Sequence, residues 1–476
     1  MPFLYNAQGS GMRRRLWWWM ILLAPAAVAA SPGMDPALVK RIDGDALAVL
    51  RHTDTPGATL AIYRDGQPLY VHAYGLADRE RKTPATASTY YEIGSITKQF
   101  TVAAILQLQE AGKLDVNAKL ATYLPDAPHA KEVTLRQLMS HTSGMPEYLD
   151  GPDVEQWAVK PVTFDQIMAR IKDKPLDFAP GSRWSYSNSG YVLLGRVIEA
   201  TSHESYLHYV KTHLLAPAGM THTYTVDDES RLPGMAKGYR HADGKLEAAP
   251  TIHATVGGAA GVLVSTVDDL ERWNVALRSG KIIRPADYAL MTTPADGSND
   301  YGLGLFVDTL DGQPRIGHTG GSFGFTTSNQ YFPRQGIQVI AFTNVGDDPE
   351  PGQMLVTATF EAMYPEIAAA ARKPAAGEDA AMTAKARKAF AQMQKGNEDP
   401  AMFGDKLKAK MASGLSGRLA KQLGPFGEPS SFIFKGRRPD KDKTWNDYVI
   451  QFGPGSYLEF GVELDAEGKV VSISLG

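Results

Sequence analysis

The sequence predicts an α+β fold in which strands near both ends of one large domain meet in a single antiparallel sheet. Two strand-like runs, residues 58–63 and 69–74, are separated by Arg64-Asp-Gly-Gln67, a pattern typical of a β-hairpin. Residues 315–344 contain two more β-rich runs, broken by glycine and proline. Because helical patterns lie between these two regions, the strands at the two ends are expected to pair with each other.

Three intervening segments are predicted to be helical. Residues 96–108 are apolar almost all round, which is typical of a helix that is buried on most sides. Residues 165–172 and 191–201 are the other two candidates. The last of these begins just after Asn188, so Asn188 is expected on the loop that precedes the helix.

The composition narrows the class of protein. The chain has 476 residues, of which 43% are hydrophobic and 21% are charged, which is ordinary for a soluble globular protein. The net charge is −3, so no basic excess indicates nucleic acid as a partner. The sequence contains no cysteine, which excludes a disulfide framework, a thiol nucleophile and a thiolate metal site.

The N-terminus has the pattern of a secretory signal peptide over residues 1–30. Arg13-Arg14-Arg15 precedes an apolar run at residues 16–24, and Ala27-Val28-Ala29 offers a small-residue cleavage site. The apolar run is shorter than the roughly 20 residues that a bilayer-spanning helix needs. A periplasmic or secreted protein with no stable membrane span after cleavage is therefore expected, and an uncleaved anchor is the alternative.

A change in composition predicts the domain organisation. Residues 35–367 form the large domain, and residues 368–381, rich in alanine, lysine and proline, are interpreted as a linker. Residues 382–476 are predicted to form a small C-terminal α+β domain, with a helix at 382–393 and short strands within 432–475. This C-terminal part has no histidine and no evident set of reactive side chains, and its partner is unknown.

Ser95-Ile96-Thr97-Lys98 stands at the start of the predicted buried helix. Residues three apart on a helix lie on one face, one turn from each other. Free backbone N–H groups at the helix start can stabilise a negative charge near Ser95. Burial lowers the pKa of a lysine, and a neutral Lys98 could then take the proton of the Ser95 hydroxyl. The motif alone is weak, because an exposed Ser and Lys often match it by chance.

Two further motifs lie far downstream. In Tyr186-Ser187-Asn188, the phenol can exchange a proton with a neighbouring lysine, and the amide can bind a substrate carbonyl; the alternative is a turn with Asn as a helix cap. His318-Thr319-Gly320 reads as a strand edge that a substrate can approach closely, where His318 and Thr319 can bind a carboxylate. Its alternative is a glycine-rich strand end. The order and spacing of the three motifs together predict an acyl-transferring serine hydrolase.

The three motifs resemble those of the serine β-lactamase-related family, which contains class C β-lactamases, D-alanyl-D-alanine carboxypeptidases, D-aminopeptidases and family VIII carboxylesterases. The resemblance covers roughly residues 40–365. The stretches that fit the family pattern are residues 91–100, 138–146, 180–188, 215–220, 257–265 and 301–304.

The resemblance implies a fold and a set of roles. The fold is a β-lactamase/transpeptidase-like antiparallel sheet flanked by helices, with a helical subdomain and the site between them. Ser95 is the acylated nucleophile, Lys98 and Tyr186 shuttle its proton, and Asn188 orients the substrate. Backbone N–H groups of Ser95 and Gly321 resemble an oxyanion hole, and Gly320 belongs to the substrate-binding strand. No metal or organic cofactor is implied.

One departure bears on the substrate. Class C β-lactamases carry Lys-Thr-Gly where this chain carries His318-Thr319-Gly320, and histidine holds a carboxylate less firmly than lysine near neutral pH. The expected function is an exported serine hydrolase that acts on D-amino-acid peptides, short esters or β-lactams. The alternative is a non-turnover penicillin-binding or sensing protein with the same fold.

Three other patterns are interpreted as structural. Gly320-Gly-Ser-Phe-Gly324 matches a nucleophile elbow, but that fold needs a histidine after the serine, and every histidine here lies at or before position 318. His141 is expected to be a buried, hydrogen-bonded histidine. His203 and His208 are five residues apart, which does not place them on one face of an α-helix, so an exposed helix surface is expected instead of a zinc site.

Overall fold

The computed structural model describes residues 34–298, 300–346, 349–440, 443–465 and 467–475. The signal peptide predicted for residues 1–30 lies outside these ranges. Within the described part of the chain, no helix combines the length and the apolar character that a bilayer crossing requires.

The α-helices of these ranges are Pro36–His52 (α1), Thr97–Glu110 (α2), Leu135–Met139 (α3), Val154–Ala158 (α4), Phe164–Ala169 (α5), Asn188–Ser202 (α6), Tyr206–Tyr209 (α7), Ala216–Ala218 (α8), Ala254–Gly261 (α9), Val267–Arg278 (α10), Pro285–Met291 (α11), Pro351–Met363 (α12), Pro365–Ala371 (α13), Ala380–Lys395 (α14), Asp405–Lys410 (α15) and Ser416–Leu423 (α16). A 3₁₀ turn, Gly94–Ile96, precedes α2, and a π-helical segment, Val210–Leu215, joins α7 to α8.

The strands are Gly57–Arg64 (β1), Gln67–Asp78 (β2), Thr83–Pro84 (β3), Tyr91–Glu92 (β4), Tyr224–Thr225 (β5), Tyr239–Ala242 (β6), Lys245–Ala248 (β7), Leu263–Ser265 (β8), Phe306–Leu310 (β9), Gln313–Ser322 (β10), Phe325–Phe332 (β11), Ile337–Thr343 (β12), Ser431–Asp440 (β13), Lys443–Gly453 (β14), Ser456–Leu464 (β15) and Val470–Leu475 (β16).

The central sheet has seven strands in the order β3-β2-β1-β12-β11-β10-β9. The predicted hairpin is β1–β2, and the prediction that the terminal strands meet is confirmed, because β1 pairs antiparallel with β12. Both faces of β1 are covered. Leu60 packs into a core with α1 and α12, whereas its neighbour Ala61 packs into the larger core on the other face. This alternation is the period of two that a strand imposes.

Helix α2 lies in the larger core, as its all-round apolar pattern predicts. From Thr97 to Leu106 every residue of α2 is buried. The ring of Phe100 stacks on that of Trp273 with centroids 3.9 Å apart. The Thr101 hydroxyl of α2 donates to the carbonyl of Ala259 at 2.6 Å. This packing fixes the position of α2 and of its first turn, which carries Lys98.

The start of α6 corrects one prediction. Asn188 is the first residue of α6 and does not lie on the loop before the helix, so that placement was wrong. The helix can begin at Asn188 because a residue that is distant in sequence accepts the hydrogen bond of its first backbone N–H. No local side chain caps the helix, and the carboxylate of Glu147 accepts the Asn188 backbone N–H at 2.6 Å. Helix α5 is shorter than the predicted 165–172 and begins at a capping box made by Thr163 and Gln166.

A separate small C-terminal domain is present, as predicted. Strands β13, β14, β15 and β16 form an antiparallel sheet in that order, and apolar side chains of α14, α15 and α16 pack on it to form a core of their own. The predicted linker is largely helical at its ends, because α13 continues to Ala371 and α14 begins at Ala380. Only residues 372–379 are non-helical. The domain boundaries at 367 and 382 stay a prediction.

Candidate active site

Three separate parts of the chain meet in one cleft. Ser95 lies in the 3₁₀ turn before α2, and Lys98 lies in the first turn of α2. Asn188 begins α6, and Gly321 lies near the end of β10. The backbone approach is close, because a Cβ built on Gly320 would lie 2.0 Å from the carbonyl oxygen of Ile93. Glycine is therefore required where the strand crosses the turn that carries Ser95.

Lys98 is fully buried and its amine is surrounded by polar atoms. Nζ lies 2.9 Å from Oγ of Ser95, 2.8 Å from Oδ1 of Asn188 and 2.9 Å from the carbonyl oxygen of Ala260. Burial lowers the pKa of Lys98 to about 7, and the negative charge of Glu147 opposes this change. A neutral Lys98 can donate to the amide and carbonyl oxygens while its lone pair accepts the Ser95 proton.

The ring of Tyr186 also faces the amine of Lys98. Nζ of Lys98 is 4.8 Å from the centroid of the Tyr186 ring. The phenol oxygen is buried and completes no hydrogen bond of normal geometry with any described residue. Burial raises the pKa of Tyr186 well above its ordinary value, and the nearby Ser95 hydroxyl lowers it by a smaller amount. Tyr186 is thus held as a neutral phenol, which can donate a proton.

Glu147 was not singled out by sequence reasoning. It lies on the loop between α3 and α4 and is largely buried. Besides the Asn188 backbone, its Oε2 accepts from Nδ2 of Asn188 at 3.3 Å. A single glutamate after a proline is normally a solvated loop residue, so the local pattern gave no signal for it. Only the folded path of the loop brings Glu147 to α6.

His318 faces the protein interior. Its Nε2 accepts from the Tyr301 hydroxyl at 2.9 Å, and its Nδ1 donates to the carbonyl of Thr319 at 2.5 Å. Burial, and secondarily the charge of Lys98, lowers the pKa of His318 to about 3. The ring is neutral and both nitrogens are occupied. The predicted contact with a substrate carboxylate stays a prediction, and it requires the ring to release one of these two hydrogen bonds.

The backbone near Gly321 is also held tightly against the serine turn. Gly94 has a left-handed φ of +49°, and a Cβ at this position would lie 2.6 Å from the carbonyl oxygen of Gly321. Ser95, Asn188 and Gly321 all line a cleft of about 90 Å³. Larger cavities, of about 470 Å³, 380 Å³ and 310 Å³, lie away from Ser95 in the described part of the chain. The small cleft is the one that contains the predicted chemistry.

The residues interpreted as structural behave accordingly. His141 is buried, and its Nδ1 accepts the backbone N–H of Ser187 at 3.1 Å. His203 and His208 are exposed, but the predicted shared helix surface is wrong, because α6 ends at Ser202 with His203 as its left-handed C-cap and α7, which carries His208, begins at Tyr206. Ser322 lines the cleft, and none of the hydrogen bonds of the described residues joins it to a histidine.

The antiparallel sheet, the helical region and the cleft between them are those of the β-lactamase/transpeptidase-like class of hydrolases. The family model described as "Beta-lactamase" matches residues 38–363, which is more than half of the chain. The chain belongs to the Beta-lactamase family, as the sequence motifs predicted.

Curated relatives and solved structures agree with this assignment. Over 298 residues the chain is 30% identical to the putative penicillin-binding protein PbpX of Bacillus subtilis, covering 62% of this chain and 72% of that protein. It is 29% identical to penicillin-binding protein 4* of the same organism, over 64% of this chain and 72% of that one.

A D-stereospecific amidohydrolase from Streptomyces sp. superposes with a TM-score of 0.60 at 27% identity, over 67% of this chain and 98% of that one. The octameric penicillin-binding protein homologue from Pyrococcus abyssi has a TM-score of 0.63 at 23% identity and covers 93% of this chain and 98% of that one. The similarity to the Pyrococcus abyssi protein concerns the fold alone. The aligned region is longer than the residues 38–363 that the family model matches.

Proposed function

We propose that the protein is a serine hydrolase that forms an acyl-enzyme on Ser95 and acts on amide or ester bonds of small substrates. The observation on which this depends is the 2.9 Å distance between Nζ of a fully buried Lys98 and Oγ of Ser95. A hydroxyl needs a base within hydrogen-bond reach to become a nucleophile. The pKa of about 7 makes Lys98 such a base near neutral pH.

The acylation step follows from this geometry. Ser95 Oγ bonds to the substrate carbonyl carbon as its proton passes to the neutral amine of Lys98. The carbonyl oxygen becomes an oxyanion beside the backbone N–H groups of Ser95 and Gly321. The intermediate then expels its amine or alcohol, which takes a proton from Tyr186, and the phenol regains one from Lys98.

Deacylation reverses these transfers with water as the nucleophile. The water oxygen bonds to the acyl carbon as Lys98 accepts its proton, the bond to Oγ breaks, and Ser95 recovers a proton from Lys98. The alternative is a penicillin-binding or sensing protein that does not turn over, and the names of the two curated relatives support penicillin binding without bearing on turnover. A mass-spectrometric time course separates the two, because turnover requires the acylated species to decay.

Small amides and esters are the preferred substrates in this proposal. The D-stereospecific amidohydrolase, at 27% identity, supports amide substrates of D configuration. β-Lactams carry a carboxylate near the reactive bond, and the neutral His318 ring offers that group no positive charge. Slow acylation by β-lactams is therefore proposed. Export to the periplasm or the exterior is also proposed, on the signal pattern of residues 1–30 alone.

Covalent labelling tests the nucleophile. A fluorophosphonate probe is expected to attach to the tryptic peptide that contains Ser95, as mapped by mass spectrometry. The Ser95→Ala variant is expected to remain unlabelled, with an unchanged circular dichroism spectrum. Modification at Ser322, or equal labelling of the alanine variant, would remove the basis of the proposal.

The rate of labelling is expected to depend on pH through Lys98. Below its pKa the amine is protonated and cannot accept the Ser95 proton, whereas above that pKa it is neutral. The labelling rate should therefore rise with pH, reach half its maximum near pH 7, and fall about tenfold per pH unit on the acid side. Hydrolysis of the probe alone, measured at each pH, is the control. A midpoint near 10.5, the ordinary value for lysine, would contradict a buried base.

A further inference from the structure

We infer that Glu147 is a positioning residue of this site: it fixes the amide of Asn188 and supplies a partly buried negative charge that faces Lys98. The inference rests on the proposed function, because it assigns Glu147 an effect on the base of that reaction. Glu147 itself touches neither Ser95 nor the reacting atoms in the proposed mechanism.

The carboxylate of Glu147 is satisfied by the backbone and by Asn188. Oε2 accepts from the Asn188 backbone N–H at 2.6 Å and from Nδ2 of Asn188 at 3.3 Å, while Oε1 accepts from the Leu149 backbone at 2.9 Å. Burial raises the pKa of Glu147, and these backbone donors and Lys98 lower it. Donors on both oxygens favour the ionised form.

These contacts determine which way the Asn188 amide points. An ionised carboxylate only accepts hydrogen bonds, so the NH₂ group of Asn188 must face Glu147. The oxygen Oδ1 then faces Lys98, whose Nζ it meets at 2.8 Å. A rotated amide would place an oxygen against the carboxylate and an NH₂ group against the lysine. Glu147 therefore excludes the rotated form.

The loop that carries Glu147 is held on both sides. The backbone N–H of Tyr148 donates to Oγ of Ser189 at 2.9 Å, and its hydroxyl donates to the carbonyl of Val256 at 2.6 Å. The guanidinium of Arg170 donates to the Tyr148 carbonyl at 2.7 Å. The negative charge of Glu147 is consequently fixed in place relative to α6.

The effect of Glu147 on the pKa of Lys98 depends on the other groups that surround the amine. Among the described residues, the groups that meet the amine directly are uncharged: the Ser95 hydroxyl, the phenols of Tyr186 and Tyr191, and the rings of His141 and His318. Two further carboxylates face the site, since Glu92 lines the same cleft and Glu350 acts on Tyr186. Glu147 in turn faces Lys98, Tyr148, Tyr186 and Asp150. Burial lowers the pKa of Lys98, and Glu147 is the charged group that limits this fall.

The Glu147→Gln variant removes the charge and keeps an acceptor for Asn188, because the glutamine oxygen can take the place of Oε2. Its NH₂ group then replaces Oε1, so the hydrogen bond from the Leu149 backbone is lost. Without the negative charge, the ammonium form of Lys98 loses its opposite partner and its pKa falls further. The acid limb of the labelling rate at Ser95, measured with the fluorophosphonate probe, is expected to move to lower pH by about one unit. A purely structural role would lower the rate at every pH and leave the midpoint where it is.

Two more variants complete the test. Glu147→Ala also removes the acceptor of the Asn188 amide, and its labelling rate is expected to fall about 100-fold across the pH range. Glu147→Asp keeps the charge but shortens the side chain, so its midpoint should stay near that of the wild type while its rate falls. The matched control is Glu366→Gln on the exposed surface of α13, with an unchanged profile expected.

An unchanged midpoint in Glu147→Gln would overturn the inference while leaving the proposed function intact. If the glutamine variant does not fold, a displaced midpoint in the folded Glu147→Asp protein would overturn it instead. Persistent labelling of Ser95→Ala would show that the proposed function itself is wrong, so the two failures are distinguishable.

Discussion

Replacing Lys98 by methionine is expected to lower the rate of fluorophosphonate labelling at Ser95 by about 10⁴-fold, the order found when one member of a nucleophile–base unit is removed. The amine of Lys98 is the basic group within hydrogen-bond distance of the Ser95 hydroxyl in the described structure. The phenol of Tyr186 is neutral because burial raises its pKa. The variant therefore leaves Ser95 without a group that can take its proton.

Methionine is the informative substitution at this position because Lys98 is fully buried. An unbranched apolar side chain fills most of the same volume, so the fold should survive even though the oxygens of Asn188 and Ala260 lose a donor. The exposed Lys131→Met variant is the matched control, and its labelling should equal that of the wild type. A folded Lys98→Met protein that is labelled within tenfold of the wild-type rate would mean that another group activates Ser95.

The parts of the fold that could be predicted are those that depend on local periodicity. The runs at 58–63 and 69–74 are strand-like and are separated by a short turn that contains Gly66, and they form the hairpin β1–β2. The apolar helix at 96–108 is buried as α2, because a segment that is apolar on all sides has no face for water. Local periodicity predicted single helices and strands. The fold class followed from the family motifs, because the resemblance to the family implies the fold in which these motifs occur.

The parts of the site that could not be predicted depend on contacts between remote segments. Glu147 caps α6 across 41 positions of sequence, and no local pattern connects a loop glutamate to a helix that starts so far away. The orientation of His318 depends on Tyr301, whose hydroxyl it meets at 2.9 Å. A strand has two faces, and the sequence around position 318 does not say which of them the imidazole takes.

The Gly94→Ala variant is expected to lower labelling at Ser95 by 100-fold to about 1,000-fold, which is the range for loss of an oxyanion-hole donor. A methyl group at this position would lie 2.6 Å from the carbonyl oxygen of Gly321 and 2.8 Å from its nitrogen. Backbone atoms cannot rotate away as a side chain can, so the turn and β10 must separate. The N–H groups of Ser95 and Gly321, the proposed oxyanion hole, would then move apart.

A substitution at a second glycine, Gly336, distinguishes the collision with Gly321 from the strain of a left-handed backbone angle. Gly94 and Gly336 both have left-handed φ angles, +49° and +63°, but a Cβ on Gly336 meets no atom within 4 Å. Gly336→Ala should therefore lose about 1 kcal/mol of stability and keep the wild-type labelling rate. Gly94→Ala neither adds nor removes a charge near the amine of Lys98, so the rate should fall while the midpoint of the pH profile stays near 7. A wild-type rate in Gly94→Ala would show that the contact between the turn and β10 does not hold the oxyanion hole. A shifted midpoint would show that the methyl group disturbs the base rather than the backbone donors.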